Sequence, residues 1–159
     1  MKNIVYLLLG SVFLLSACNG DNSKPQLMND KAALPSSFKF DGLGLNVMAS
    51  FINKRSGTMS TLYANQLALQ NAIKGVKVHA AGEVMALVTW KQQDDDHWFG
   101  AKIPGNVQTV ELIKTVASSG IILADYKKYS GKNLFADVDT LQKKERIAYI
   151  FEQQPSVMP

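Results

Sequence analysis

The chain has 159 residues, with 17 lysines and arginines against 13 acidic residues and a formal net charge of +4. This length suits one domain, and the modest charge, without a basic cluster interleaved with aromatic residues, argues against nucleic acid as a partner. Cys18 is its single cysteine, which excludes an internal disulfide and the C-x-x-C-H motif of covalently attached haem. The two histidines, His79 and His97, are too few for a three-histidine zinc site.

Residues 1–17 predict a lipoprotein signal peptide. Lys2 precedes an apolar run from Ile4 to Leu15, shorter than the roughly 20 apolar residues of a transmembrane helix. The sequence Leu-Ser-Ala-Cys at 15–18 resembles the bacterial lipobox, whose cysteine is acylated, for example with palmitate, and becomes the first mature residue. An ordinary signal peptide that ends near a cysteine is the alternative. We expect Cys18 to anchor the protein to a membrane that it does not span.

Residues 18–40 predict a lipidated, flexible tether. They are rich in Asn, Asp, Ser, Lys and Pro, with few large apolar side chains before Phe38. Such a composition buries too little apolar surface to offset its ordering entropy. Asn19 follows the cysteine, whereas an aspartate there resembles an inner-membrane retention signal. We therefore expect an outer-membrane protein facing the periplasm, with its folded domain at 41–159.

The domain begins with the pattern of a hairpin and a helix. Alternating apolar residues from Leu43 to Phe51 predict a half-buried strand, and the polar turn at 53–57 leads into a returning strand. The segment LALQNAIKG predicts a short helix that ends at Gly75. The nearly continuous apolar run EVMALVTW at 83–90 predicts a central strand buried on both faces.

The second half predicts more strands and a final helix. HWFGAKI at 97–103 predicts a strand that Pro104 and Gly105 end, and VQTVELIKTV and IILADYKKYS predict two more, separated by the turn at 118–120. From Asp137, a segment that ends before Pro155 predicts a C-terminal helix. The expected fold class is α+β, an antiparallel β-sheet-rich single domain with a short helix after the first hairpin and a C-terminal helix.

The stretch around three consecutive aspartates, 94–96, is the most chemically suggestive part of the sequence. Neighbouring extended side chains point to opposite sides, and the run lacks the spaced oxygens and glycine of a calcium loop. It therefore predicts a solvated turn and no metal site. Trp90, His97, Trp98 and Phe99 are candidate pocket residues, with a turn histidine and core aromatics as alternatives. No catalytic residue is assigned, since spacing supports no nucleophile with a histidine, and the sequence favours a binding module over an enzyme.

Four segments resemble the cytochrome P-460 family. They are GTMSTLYAN (57–65), ALVTWKQQDDDHWFGAKIPG (86–105), the Val-Glu pair at 110–111, and YIFEQQPSVMP (149–159). The resemblance covers the domain from about residue 43. It implies a small periplasmic domain of antiparallel strands and a few helices, in which a C-terminal C-x-x-C-H motif attaches haem. Some members of that family oxidise hydroxylamine, and related proteins bind small gases such as nitric oxide.

The chain departs from that family at the haem motif. Its C-terminal EQQPSVMP contains neither cysteine nor histidine, so the covalent haem cannot be carried over to any residue here. Two hypotheses remain. We favour a haem-free, non-enzymatic lipoprotein whose pocket binds a small ligand or another envelope protein. The alternative is a protein that holds haem non-covalently, with His97 or His79 as axial ligand, for gas sensing or redox chemistry on small nitrogen compounds.

Overall fold

The computed structural model describes residues 28–137 and 142–156. Six antiparallel strands form one sheet in which each strand lies beside its neighbour in sequence. The strands are β1 Asn46–Asn53, β2 Thr58–Ala64, β3 Val84–Asp94, β4 Lys102–Ser118, β5 Ile121–Ser130 and β6 Phe135–Ala136. Helix α1, Gln66–Ile73, connects β2 to β3, and helix α2, Lys143–Phe151, follows the sheet. The predicted α+β, sheet-rich single domain is confirmed, with one short helix after the first hairpin and one C-terminal helix.

The first hairpin forms where its polar turn was predicted, but its alternation is interrupted. The side chain of Asn53 accepts a hydrogen bond from the Ser56 N–H at 3.1 Å and closes the turn. The β1–β2 register shifts between Val47 and Ala49, so Met48 and Ala49 are both buried while Val47 is exposed. A bulge of this kind places two consecutive residues against one partner residue, which a strict period of two cannot anticipate.

Helix α1 has both of its boundaries marked in the sequence. Asn65 is the N-cap, and its side-chain oxygen accepts a hydrogen bond from the Ala68 N–H at 3.0 Å. Its amide donates to the Gly82 carbonyl at 2.8 Å, which ties the start of the helix to the loop before β3. Gly75 follows the helix with a φ of +66°, a conformation that glycine adopts readily.

The prediction of a strand at 97–103 is wrong at both its start and its end. Residues 95–101 form the turn between β3 and β4, and β4 then passes through Pro104 and Gly105 without ending. β4 pairs with β5 only from Thr109 onward, so its outer edge at Pro104 needs no N–H donor. The pairing register between β3 and β4 shifts on both sides of Trp90, between Thr89 and Trp90 and between Trp90 and Gln92. Shifts of this kind are typical of β-bulges.

The two faces of the sheet are covered differently. One face, here called the helix face, packs against α1 and α2 through a core that includes Leu62, Leu87 and Ile113. The other face buries Trp90 and Val110 beneath apolar side chains from residues 32–40. These covering residues were predicted to belong to the tether. The packed structure therefore begins before residue 41, because Trp90 and its neighbours supply the apolar partners that this segment lacks in isolation.

Helix α2 is attached to the helix face by a partly buried charge cluster. Glu111 accepts two hydrogen bonds from the Arg146 guanidinium, at 2.9 and 2.6 Å, and one from the Tyr126 hydroxyl at 2.5 Å. Ile150 of α2 is fully buried in the same core. The helix was expected from Asp137, but the Asp137 N–H instead donates to the Lys128 carbonyl beside the sheet. Residues 138–141 of the expected helix lie outside the described residues.

Neither α1 nor α2 has the length and hydropathy to cross a membrane, and no other helix in the described ranges does.

Candidate functional site

A cleft of about 640 Å³ lies on the helix face between α1, the loop that precedes β3, and the end of α2. This volume is within the range of small-ligand sites, which combine apolar walls with a few fixed polar groups. Ala72, Met85 and Phe151 contribute apolar surface. The polar and charged lining residues are Asn71, Lys77, His79, Glu83, Glu152, Gln153 and Gln154.

Glu83 is the fixed charge of this cleft, with only 1% of its surface exposed. Its Oε1 accepts hydrogen bonds from the Asn71 amide at 2.7 Å and from the Ala80 N–H at 3.1 Å. Its Oε2 lies 2.6 Å from His79 Nδ1. Burial acts to raise the pKa of Glu83, but these hydrogen bonds and the attraction of His79 outweigh it and hold the pKa below its ordinary value. Glu83 is therefore ionised at neutral pH.

Thr115 holds the loop that carries this carboxylate. Its hydroxyl accepts from the Glu83 N–H at 2.9 Å and donates to the Ala80 carbonyl at 2.6 Å. The Thr115 N–H in turn donates to the Glu83 carbonyl, and its own carbonyl accepts from the Gly82 N–H, each at 2.9 Å. The loop is thus bound to β4 on both sides of Glu83, so the carboxylate is positioned before any ligand arrives.

His79 is the side chain through which the cleft can respond to a ligand. Its ring stacks on Phe151 with centroids 3.7 Å apart, and 28% of the side chain is exposed. Because an ionised Glu83 only accepts hydrogen bonds, the Nδ1 of His79 carries the proton that joins them. Nε2 is then an acceptor in the neutral ring and a donor in the protonated one. His79 therefore offers the cleft a polar group that can either donate or accept, beside the aromatic ring of Phe151.

The predicted pocket residues do not enclose a common site. Trp90 is 8% exposed in the core, where its Nε1–H donates to the Ala32 carbonyl at 2.9 Å. His97 lies on the β3–β4 turn with 72% of its side chain exposed. Trp98 and Phe99 are exposed on the same turn. Trp90 is thus a core residue, and the other three face solvent. The predicted lipidation site, Cys18, lies outside the described residues.

The aspartate run lies in and beside the same turn. Asp94 pairs with Lys102 across the base of the turn, and one Asp95 oxygen accepts the His97 N–H at 2.8 Å. Asp96 is exposed. In the part of the chain that the structure describes, no group of three or more His, Cys, Asp or Glu side chains is placed to hold a metal ion.

Sequence reasoning missed the residue that organises the cleft. Glu83 precedes the apolar run of β3 and is four residues after His79, a spacing that carries no meaning in a loop. The available signal was a single carboxylate at the edge of an otherwise apolar strand, since a buried carboxylate requires partners.

No protein-family model matches the chain, and no curated protein matches it. The resemblance to the cytochrome P-460 family therefore remains a prediction.

Proposed function

We propose that this protein is a lipoprotein anchored through Cys18 to the outer membrane, with a cytochrome P-460-like domain that lacks covalent haem and binds a small ligand in the His79–Glu83 cleft. In this account the domain faces the periplasm and works as a binding module, not an enzyme. In the alternative form of this proposal, the cleft binds another envelope protein instead of a small ligand.

The observation that carries the ligand proposal is that hydrogen bonds already hold Glu83 and His79 in place in the cleft. Glu83 is buried and ionised, and each of its carboxylate oxygens accepts at least one hydrogen bond, so it holds His79 in place. The ring of His79 and the stacked Phe151 then form a polar and an aromatic contact on one wall. This combination suits a small, partly apolar molecule that forms one hydrogen bond with the imidazole.

A fluorescent probe tests whether the cleft binds ligands. Anilinonaphthalene sulfonate is anionic, aromatic and emissive in apolar sites. Ala148 lines the cleft and is exposed on α2, so Ala148→Trp should fill the cleft without disturbing the core. We expect this change to weaken probe binding about tenfold, the equivalent of about 1.4 kcal/mol.

The matched control is Ala33→Trp, because Ala33 is exposed and lines a different cavity beside β4. This variant should bind the probe as the parent does. Loss of binding in the Ala33 variant alone, or equal binding in all three proteins, would remove the support for the His79–Glu83 cleft.

Metabolic labelling with a fatty acid tests the anchor. Cys18→Ser should abolish labelling and leave an unprocessed precursor or a soluble product, because the acyl chains supply the membrane affinity. Label retained by the serine variant would refute the lipoprotein assignment.

Non-covalent haem binding is the second candidate function. The observation that favours it is the contact between His79 Nδ1 and Glu83, since metal-binding histidines commonly donate their other N–H to a carboxylate. His79 is thus a better axial-ligand candidate than the solvent-facing His97. The described C-terminal residues of α2 and 152–156 supply neither cysteine nor histidine, so they do not fit covalent attachment.

A further inference from the structure

The β3–β4 turn presents two large aromatic side chains to solvent. Trp98 is 72% exposed and Phe99 is completely exposed. Hydrogen bonds within the turn fix this arrangement, because the Ala101 N–H donates to the Trp98 carbonyl at 3.0 Å and the Asp95 N–H to the Ala101 carbonyl at 3.1 Å. Adjacent exposed aromatics of this size are typical of a surface that contacts something apolar.

The chain enters the domain at the same end as this turn. The Asn29 amide donates to the Pro104 carbonyl at 2.6 Å, and Pro104 is two residues beyond Lys102, the first residue of β4. Two strand residues span only about 7 Å. A chain that arrives from residue 28 therefore meets the sheet beside the turn that carries Trp98 and Phe99.

The distance to the proposed anchor is limited by chain length. Met28 is ten positions after Cys18, so the chain between them spans at most about 36 Å when fully extended. β4 has 17 residues and leads up to about 55 Å away from the turn, toward the β4–β5 hairpin. An anchor at Cys18 thus keeps the aromatic turn near the lipid and permits the opposite end of β4 to lie much farther from it.

We propose that Trp98 and Phe99 insert into the headgroup region of the bilayer that holds the lipid anchor. This inference rests on the proposed lipidation of Cys18. Tryptophan prefers the membrane interface because its ring is amphipathic. The turn and its flanking residues carry three aspartates, of which Asp94 is paired with Lys102, so the turn suits a zwitterionic surface better than an anionic one.

Insertion at this turn would orient the ligand cleft. Glu83 immediately precedes β3, and Thr115 lies near the end of β4, so both are at the end of these strands that is remote from the turn. With the turn against the bilayer, the cleft faces away from the membrane and toward the periplasm. A ligand could then reach His79 without crossing the lipid surface.

Quenching by brominated lipid tests the insertion. The lipidated full-length protein is placed in vesicles of phosphatidylethanolamine and phosphatidylcholine with bromine on the acyl chains near the headgroups. A Trp98→Leu variant supplies the background emission of buried Trp90. We expect the emission due to Trp98 to shift to the blue and to be largely quenched, and quenching to weaken as phosphatidylglycerol is added at low salt.

Two further variants separate the turn from general surface hydrophobicity. Phe99→Ser should reduce the quenching of Trp98, whereas Ile121→Ser, an exposed position at the opposite hairpin, should leave it unchanged. Lipidated protein whose Trp98 is unquenched and as accessible to acrylamide as in soluble Cys18→Ser would overturn the insertion and leave the anchor intact. A chain that carries no lipid would overturn the anchor, and this inference with it.

Discussion

Replacement of Glu83 tests whether the cleft is organised by a buried charge. Glu83→Ala removes the acceptor for three donors, the Asn71 amide, the Ala80 N–H and His79 Nδ1. Glu83→Gln keeps the size of the side chain and one acceptor oxygen. That oxygen can accept from Asn71 and Ala80, while the new amide donates to His79 Nδ1. His79 must then hold its proton on Nε2.

The structure sets the size of both effects. A hydrogen bond to a charged group contributes about 1.5–3 kcal/mol, and a buried donor left without a partner costs about 1–3 kcal/mol. Asn71 and His79 are partly exposed, so water can replace the carboxylate at those two donors. We expect Glu83→Ala to lower the free energy of unfolding by about 3 kcal/mol at neutral pH, and Glu83→Gln by about 1–2 kcal/mol.

The effect of Glu83→Gln should depend on pH. The pKa of Glu83 in the folded protein lies below its ordinary value of 4.5. Stability from the ionised carboxylate is therefore fully present above about pH 4.5 and is lost as the pH falls through the folded pKa. The difference between parent and Gln variant should consequently shrink below pH 4.5.

Urea unfolding at a series of pH values between 3 and 7 measures this difference. Glu145→Gln is the control, because Glu145 is exposed in the first turn of α2 and should cost less than about 1 kcal/mol. A Glu83→Gln variant as stable as the parent at pH 7, or a loss that stays constant to pH 3, would refute the role of a buried charge. Nitrogen NMR should also show that the His79 proton lies on Nδ1 in the parent and on Nε2 in the Glu83→Gln variant.

Three further changes test the fold by urea unfolding. Trp90→Ala should lower the free energy of unfolding by about 3–5 kcal/mol, because it leaves a cavity in the core and removes the hydrogen bond to the Ala32 carbonyl. Trp98→Ala should change it by no more than about 0.5 kcal/mol. Equal losses of stability in the two variants would contradict the assignment of Trp90 to the core and Trp98 to the surface. Arg146→Met should cost about 2–4 kcal/mol because it removes the cation that pairs with the buried Glu111 carboxylate, against little change for Lys143→Met on the same helix. An Arg146 variant as stable as the parent would contradict the attachment of α2 through Glu111. Asparagines at 94–96 should change stability by less than about 0.5 kcal/mol, and a calcium-dependent melting temperature in the parent alone would show that these aspartates bind an ion.

The strands and helices were predictable where the determining residues are neighbours in sequence. The apolar run of β3 and the Asn65 cap of α1 each fix a local structure through contacts within a few residues. The strand through Pro104 was not predictable in this way. Whether a proline ends a strand depends on whether a partner requires its N–H, and that depends on where β5 stops pairing.

The cleft was beyond local reasoning for a similar reason. Glu83 and Thr115 are 32 residues apart, and Asn71 and Glu83 are 12 apart, so only the folded sheet brings them together. The covering of Trp90 depends on a bond to Ala32 across 58 residues. The composition of the predicted tether suggested that residues 32–40 bury too little apolar surface to fold. It could not show that their apolar partners lie on a distant strand.

The aromatic residues around the aspartate run show the limit of motif-based reasoning. Trp90, Trp98 and Phe99 are close in sequence and chemically alike, yet Trp90 is buried and the other two are exposed. The end of β3 at Asp94 separates them, since core positions continue only as far as the sheet is covered. A candidate pocket assembled from sequence proximity combined a core residue with a surface turn.

The visible absorption spectrum of protein purified from haem-replete cells tests the central proposal most directly, that the domain is a haem-free binding module. The account predicts no Soret band in the parent protein. It also predicts that His97→Ala melts close to the parent, because that side chain is exposed on a turn. A Soret band that collapses in His79→Ala but persists in His97→Ala, with both folds intact by circular dichroism, would contradict the account and establish the haem-binding alternative.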